Sequence, residues 1–284
     1  MTNKATRHVV IINGSHLHYW IYNPHQTRTV FMIHGFRGSH FGLMYIIRLL
    51  PKYRIIVPDL PGFGESTSMS KVRHDIDGYA SCILKLLEVL KLKQTVLLGH
   101  SFGTIIASKI AAERPTSITE LILISPVTLP QIKASSGILL DMTRLYYGLV
   151  CSLPNRIGQF LLSNRLFALI SCFTLIKTPD RQARRETYVF SLNNVGHHHT
   201  ISVVREAFEA SITGAVMNYV DSIKSRTLII TGRLDNLTRL PAQKRLAARL
   251  KNKKLVIIEQ SGHLAHLEAP ATIATAIETF LDEA

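Results

Sequence analysis

Short apolar runs that alternate with helical periodicity constrain this chain more than any other feature. Thr29 to Ile33, Arg54 to Val57, Thr95 to Leu98, Leu121 to Ile124, Thr227 to Ile230 and Leu255 to Ile258 read as strands buried on both faces. Between the second and third of these, Ile76, Tyr79, Ala80, Ile83, Leu86, Leu87 and Leu90 recur at three- and four-residue intervals, with Asp75 placed to cap the helix they imply. Further helices are expected at Phe102 to Glu113, stopped by Pro115, at Ala242 to Leu250 and at Ala271 to Leu281. Strands separated by crossover helices give an α/β fold with a mostly parallel sheet. Ahead of them, Val9 to Ile12 and Leu17 to Tyr22 flank Asn13-Gly14, a pair suited to the positive φ angles of a hairpin turn.

The alternation fails from about Val127 to Ser225, where apolar stripes such as Leu139, Leu140, Leu145, Leu149 and Leu153 have helical spacing and no βαβ unit is visible. The expected division is a core of residues 1–126 and 226–284 with a helical cap at 127–225, its apolar residues serving chiefly as the cap's own core. A chain of 284 residues is long enough for such a core and cap, and 46% hydrophobic with 18% charged residues excludes disorder as its main state.

Lys and Arg number 33 against 19 Asp and Glu, a net charge of +14 that favours anionic partners. No nucleic-acid module accompanies the charge, so nucleic acid is not an expected partner. Arg181, Arg184 and Arg185 form one basic group, and Lys244, Arg245, Arg249, Lys251, Lys253 and Lys254 another; solvated faces are the default for both, with attraction to an anionic membrane surface left open. The most apolar stretch, Leu139 to Ile176, is broken by Asp141, Arg144, Pro154, Arg156 and Arg165, so no run reaches the ~18 apolar residues of a membrane span. No export signal is read at the start. Cys82, Cys151 and Cys172 are too few and scattered for a disulfide framework and read as small buried hydrophobes, which fits a reducing cytoplasm. Consecutive His197, His198 and His199 make poor chelates, because neighbours in an extended segment point to opposite faces. Neither a metal nor a cofactor is expected, and the sequence sets no oligomeric state.

The chemistry-bearing pattern is Gly99-His100-Ser101-Phe102-Gly103, a G-x-S-x-G between a strand and a helix. A sharp turn there exposes Ser101, glycines on either side relieve the crossing of the chains, and the Phe102 N–H at the helix start faces a developing oxyanion. A second donor, the Phe36 N–H, sits in His34-Gly35-Phe36-Arg37-Gly38 after another strand, with His34 read as structural. Serine needs a base and the base an orienting carboxylate. Asp235 and His263 each follow a late strand on the sheet edge where Ser101 lies, in the order Ser, Asp, His; His266 is the rival base.

These residues, with Asp59-Leu60-Pro61-Gly62-Phe63-Gly64-Glu65-Ser66 and Gly262-His263 through Glu268 and Pro270, resemble the α/β-hydrolase superfamily over about two-thirds of the chain. The resemblance implies an eight-stranded, mostly parallel sheet with a helical cap between strands six and seven and no cofactor. It implies Ser101 as nucleophile, His263 as base, Asp235 as its orienter, and Phe36 with Phe102 as oxyanion donors. Thr104 departs from a second glycine common there. Serine at the elbow separates the chain from relatives resembling dehalogenases and epoxide hydrolases.

The resulting expectation is a serine hydrolase acting on a small or medium hydrophobic ester. A C–C bond hydrolase of aromatic ring-cleavage products would use the same triad. A relative of proline iminopeptidases would need acids from among Asp141, Asp180, Glu186, Glu206, Glu209 and Asp221 to hold the substrate amine. A ligand-binding receptor that retains the triad is the non-enzymatic alternative.

Overall fold

Buried strands need their backbone groups paired, and parallel pairing requires helices over both sheet faces. The computed structural model, which describes residues 5–131, 138–193 and 200–283, meets both needs. Its strands are β1 (Thr6–Ile12), β2 (Ser15–Tyr22), β3 (Thr29–Ile33), β4 (Arg54–Pro58), β5 (Thr95–His100), β6 (Ile118–Ile124), β7 (Arg226–Gly232) and β8 (Lys253–Ile258). They form one eight-stranded sheet in the order β1-β2-β4-β3-β5-β6-β7-β8. The β1–β2 and β2–β4 pairs are antiparallel and every other pair is parallel. This is the α/β-hydrolase fold.

The first hairpin turns at Asn13 (φ 52°) and Gly14 (φ 80°), the left-handed pair that matches strand twist. The core helices are α1 (Met44–Ile47), α2 (Ile76–Val89) and α3 (Phe102–Glu113). On α2, Tyr79, Ile83 and Leu86 are buried against the sheet, and the Asp75 carboxylate accepts from the Gly78 N–H at 2.9 Å, capping the first turn. Between β6 and β7 come α4 (Ile138–Ser152), α5 (Asn155–Leu162), α6 (Arg165–Leu175), α7 (Arg181–Asn193) and α8 (Ile201–Thr213). After β7 follow α9 (Leu240–Arg249), α10 (Ala265–Glu268) and α11 (Pro270–Asp282).

Two expectations need correction. Leu145, Leu149 and Leu153 do not form a core of the insertion; they are solvent-exposed, while Tyr147 and Val150 on the opposite side of α4 are buried. Helical spacing shows that residues share a face but not what that face meets. Cys82 and Cys172 are buried, but Cys151 is only half-buried. Leu139 and Leu140 lie where side chains are not described, and His197 to His199 lie outside the described residues.

Because β3, β5, β6, β7 and β8 run parallel, their carboxyl ends share one sheet edge, and the loops beyond them converge there. Removing the α2 cap tests how these elements hold together. Asp75→Ala is expected to lower unfolding free energy by about 1 kcal/mol with the denaturant slope unchanged, measured by urea unfolding.

Candidate active site

The β5–α3 junction sets the site. Ser101 takes φ 51° and ψ −120°, a backbone conformation that costs a non-glycine residue about 1–3 kcal/mol. Surrounding bonds enforce it: the Ser101 N–H donates to the Ile124 carbonyl at 3.0 Å, and its own carbonyl accepts the Thr104 N–H at 2.9 Å. Crowding explains the flanking glycines. A Cβ on Gly103 would lie 2.4 Å from the Ile33 carbonyl oxygen, and one on Gly99 2.5 Å from that of Gly103. Thr104 fits because it is stitched in, its hydroxyl donating to the Ser101 carbonyl and accepting from the Val127 N–H at 3.2 Å.

The structure brings the three separated side chains together. Ser101 Oγ stands 2.9 Å from His263 Nε2, and His263 Nδ1 stands 2.9 Å from Asp235 Oδ2. Asp235 and His263 are buried and Ser101 is half-buried, facing the loop edge. Burial alone would raise the Asp235 carboxyl. The adjoining His263 ring, the Thr238 hydroxyl (2.6 Å) and the Thr238 N–H (2.8 Å) outweigh burial and hold it below the usual carboxylate range. A carboxylate that stays ionised can accept only, which directs the His263 Nδ1 proton towards it and leaves Nε2 free to take one from Ser101. His266 does not reach Ser101; its ring lies 3.8 Å from that of His100 in a buried pair behind His263.

Phe102 follows Ser101 directly, and Gly35, next to Phe36, lies against the serine, where a Cβ would come within 3.2 Å of the Ser101 Cβ; among the described residues neither the Phe36 nor the Phe102 N–H donates to a backbone carbonyl. For Phe102 this follows from its place as the first residue of α3. His34 fixes the Phe36 loop from behind: its Nε2 accepts the Leu60 N–H at 2.8 Å, so Nδ1 carries the proton directed at the Gly35 carbonyl at 2.8 Å. Above the donors, the Phe36 ring meets Phe63, Phe102, Tyr147 and Phe208 at centroid distances of 5.6–6.5 Å, an aromatic wall shared by the core and the insertion. Among the described residues, no cluster of His, Cys, Asp or Glu is arranged to hold a metal ion.

Three contributors escaped sequence reasoning. Thr238 steadies Asp235, and the Asp-x-x-Thr spacing of an Asx-type turn was the available signal. Arg37 reaches the insertion, donating to the Tyr147 hydroxyl at 3.0 Å and the Leu162 carbonyl at 2.6 Å. Glu268 accepts from the N–H groups of Gly262 (2.9 Å), Lys177 (2.7 Å) and Thr178 (2.6 Å), tying the His263 loop to the end of α6. Burial raises its carboxyl, an effect those three donors oppose. No local pattern reveals Arg37 or Glu268 as ties to the helical segment, because Tyr147 and Leu162, and Lys177 and Thr178, are remote from them in sequence.

The chain belongs to the α/β-hydrolase fold family, whose pattern matches residues 28–270. It is 25% identical over 283 residues to an uncharacterised hydrolase, YugF, of Bacillus subtilis, covering 95% of this chain and 96% of that one. It is 25% identical over 269 residues to the human monoacylglycerol lipase ABHD6, covering 91% of this chain and 76% of that one. Among solved structures, an esterase from Exiguobacterium antarcticum superposes with a TM-score of 0.80 at 18% identity, over 98% of this chain and 100% of that one.

The buried histidines around the site generate a pH prediction. Burial, reinforced by the neighbouring His263, pushes His266 down to about 3; burial with His266 and His263 drives His100 well below 6.5. The native state thus refuses protons that the unfolded chain accepts. The stability this contributes is fully present above pH 6.5 and is lost as pH falls below it. A group pushed from 6.5 to about 3, as His266 is, loses on the order of 1 kcal/mol at pH 5.5, and His100, His34 and His74, also pushed down by burial, act in the same direction. The raised Glu268 carboxyl has the opposite sign and offsets part of it, whereas the depressed Asp235 matters only at lower pH. Urea unfolding at pH 7.5 and 5.5 should show a fall of about 1–3 kcal/mol, and equal stabilities would contradict it.

Proposed function

We propose that this protein is a serine hydrolase of hydrophobic carboxylic esters. The observation that carries the reading is the relay Ser101 Oγ to His263 Nε2 and His263 Nδ1 to Asp235, both links 2.9 Å, on a half-buried serine held in a strained turn. In this reading Ser101 Oγ attacks the ester carbonyl as His263 takes its proton. The Phe36 and Phe102 N–H groups stabilise the oxyanion, and His263 returns the proton to the departing alcohol. A water activated by the same histidine then releases the acid from the acyl-enzyme. Asp235 remains ionised throughout and stabilises the imidazolium.

The aromatic wall beside the donors supports an apolar acyl or alcohol group, which Phe36, Tyr147 and Phe208 would exclude from water. Five of the six acids that could hold a substrate amine are engaged elsewhere, Glu186 with the Gln182 side-chain amide at 2.9 Å. Glu206 accepts from the His74 N–H at 2.8 Å and Asp221 holds Arg249 at 2.7 Å. Asp141 meets Arg144 at 3.4 Å, and Asp180 accepts from α7 backbone N–H groups at 2.8 and 3.0 Å. This favours an ester over an aminopeptidase substrate. The human relative is a monoacylglycerol lipase, which makes monoacylglycerols esters to assay first. In this reading helices α4–α8 serve as the cap over the site.

Hydrolysis of a p-nitrophenyl ester series and of monoacylglycerols tests the proposal. Ser101→Ala and Asp235→Asn are each expected to lower kcat by on the order of 10⁴-fold or more, with the fold retained. Full activity in Ser101→Ala would place the nucleophile elsewhere, and a wild-type protein inert towards every ester would remove the ester reading.

A further inference from the structure

A helix on a water-soluble surface turns its apolar stripe inward. On α6 the reverse holds: Leu166, Leu169, Ile170 and Phe173 recur at i, i+3, i+4 and i+7 and face solvent, with Leu166 63%, Ile170 51% and Phe173 67% exposed. Cys172, on the flank of this stripe, and Ile176, just past the helix end, are buried. On α5, Ile157 and Phe160 are exposed as well.

This face continues into a basic one. Leu169, Ile170, Phe173 and Tyr188 line one shallow depression, and Tyr188 also lines the next, together with Arg181, Arg184 and Arg185 of α7. Among the described residues none of these arginines has a carboxylate partner. The nearest acids in sequence are occupied: Asp180 accepts from the Gln182 and Ala183 N–H groups, and Glu186 from the Gln182 side chain.

We propose that the α6–α7 face docks on an anionic lipid surface, with Ile170 and Phe173 entering the acyl boundary and Arg181, Arg184 and Arg185 at the depth of the phosphates. Exposed aliphatic and aromatic side chains bordered by unpaired arginines are the arrangement an anionic interface complements. A second copy of the chain is a poorer occupant. A two-fold interface uses the same patch twice and gives the arginines no acidic partner on that patch.

The proposal does not rest on the hydrolase reading, so the test uses the Ser101→Ala protein beside the wild type. Both are sedimented with vesicles of phosphatidylcholine alone and of phosphatidylcholine with phosphatidylglycerol. Both should bind the anionic vesicles preferentially, and less as salt rises. The triple variant Arg181→Gln/Arg184→Gln/Arg185→Gln should lose about fivefold in partitioning per arginine, on the order of a hundredfold in all. Ile170→Ser/Phe173→Ser should lose at least tenfold on anionic vesicles; both positions are exposed, so circular dichroism and the unfolding midpoint should match wild type. Wild-type binding that is absent, or equal in the triple variant, overturns the proposal. So does a dimer in sedimentation equilibrium that Phe173→Ser dissociates while vesicles are ignored, because that assigns the face to a second copy.

Discussion

The site depends on one strained residue. Ser101 occupies a left-handed region of backbone space that no side chain of its own rewards, so the turn persists only because its surroundings over-determine it. The Ile124 carbonyl holds its N–H, α3 begins immediately after it, and the Gly103 Cα packs against the end of β3. One backbone choice therefore lifts the hydroxyl clear of the sheet and also leaves the Phe102 N–H without a helical partner beside it. The parallel sheet supplies the rest, since β7 and β8 end on the same edge and deliver Asp235 and His263 from distant parts of the chain.

Burial is used with two opposite results around that serine. Asp235 is surrounded by donors, so burial does not neutralise it and the acid stays charged. For His100 and His266 burial and the neighbouring histidines prevail, and both are held well below the usual imidazole range. Burial makes this pair reluctant to take a proton, and His263 Nε2 meets Ser101 Oγ.

Strands and core helices were legible because buried parallel strands must be continuous apolar runs and crossover helices must carry one apolar face. β3 and α3 match their expected limits, and the others differ by a few residues at their ends. The positions of Ser101, Asp235 and His263 were legible for a related reason, as each follows a strand whose direction the fold dictates. The helical segment between β6 and β7 was legible as helix but not as surface: Leu145, Leu149 and Leu153 have the spacing of a core stripe and face solvent. Spacing carries no information about partners, and the supports contributed by Arg37 and Glu268 were hidden for the same reason.

The end of α6 shows how this helical segment and the site are joined. A helix leaves its last carbonyls without internal partners, and they must find donors elsewhere. On α6 the Thr174 carbonyl accepts from the side-chain amide of Asn236 at 3.1 Å, beside Asp235, and the Leu175 carbonyl accepts the His263 N–H at 3.2 Å. Glu268 then holds the next residues, Lys177 and Thr178, to the same loop. The helix that carries the outward apolar stripe thus ends on both loops that hold Asp235 and His263. Four hydrogen bonds, at Thr174, Leu175, Lys177 and Thr178, therefore tie the end of this helix to the backbone that carries Asp235 and His263.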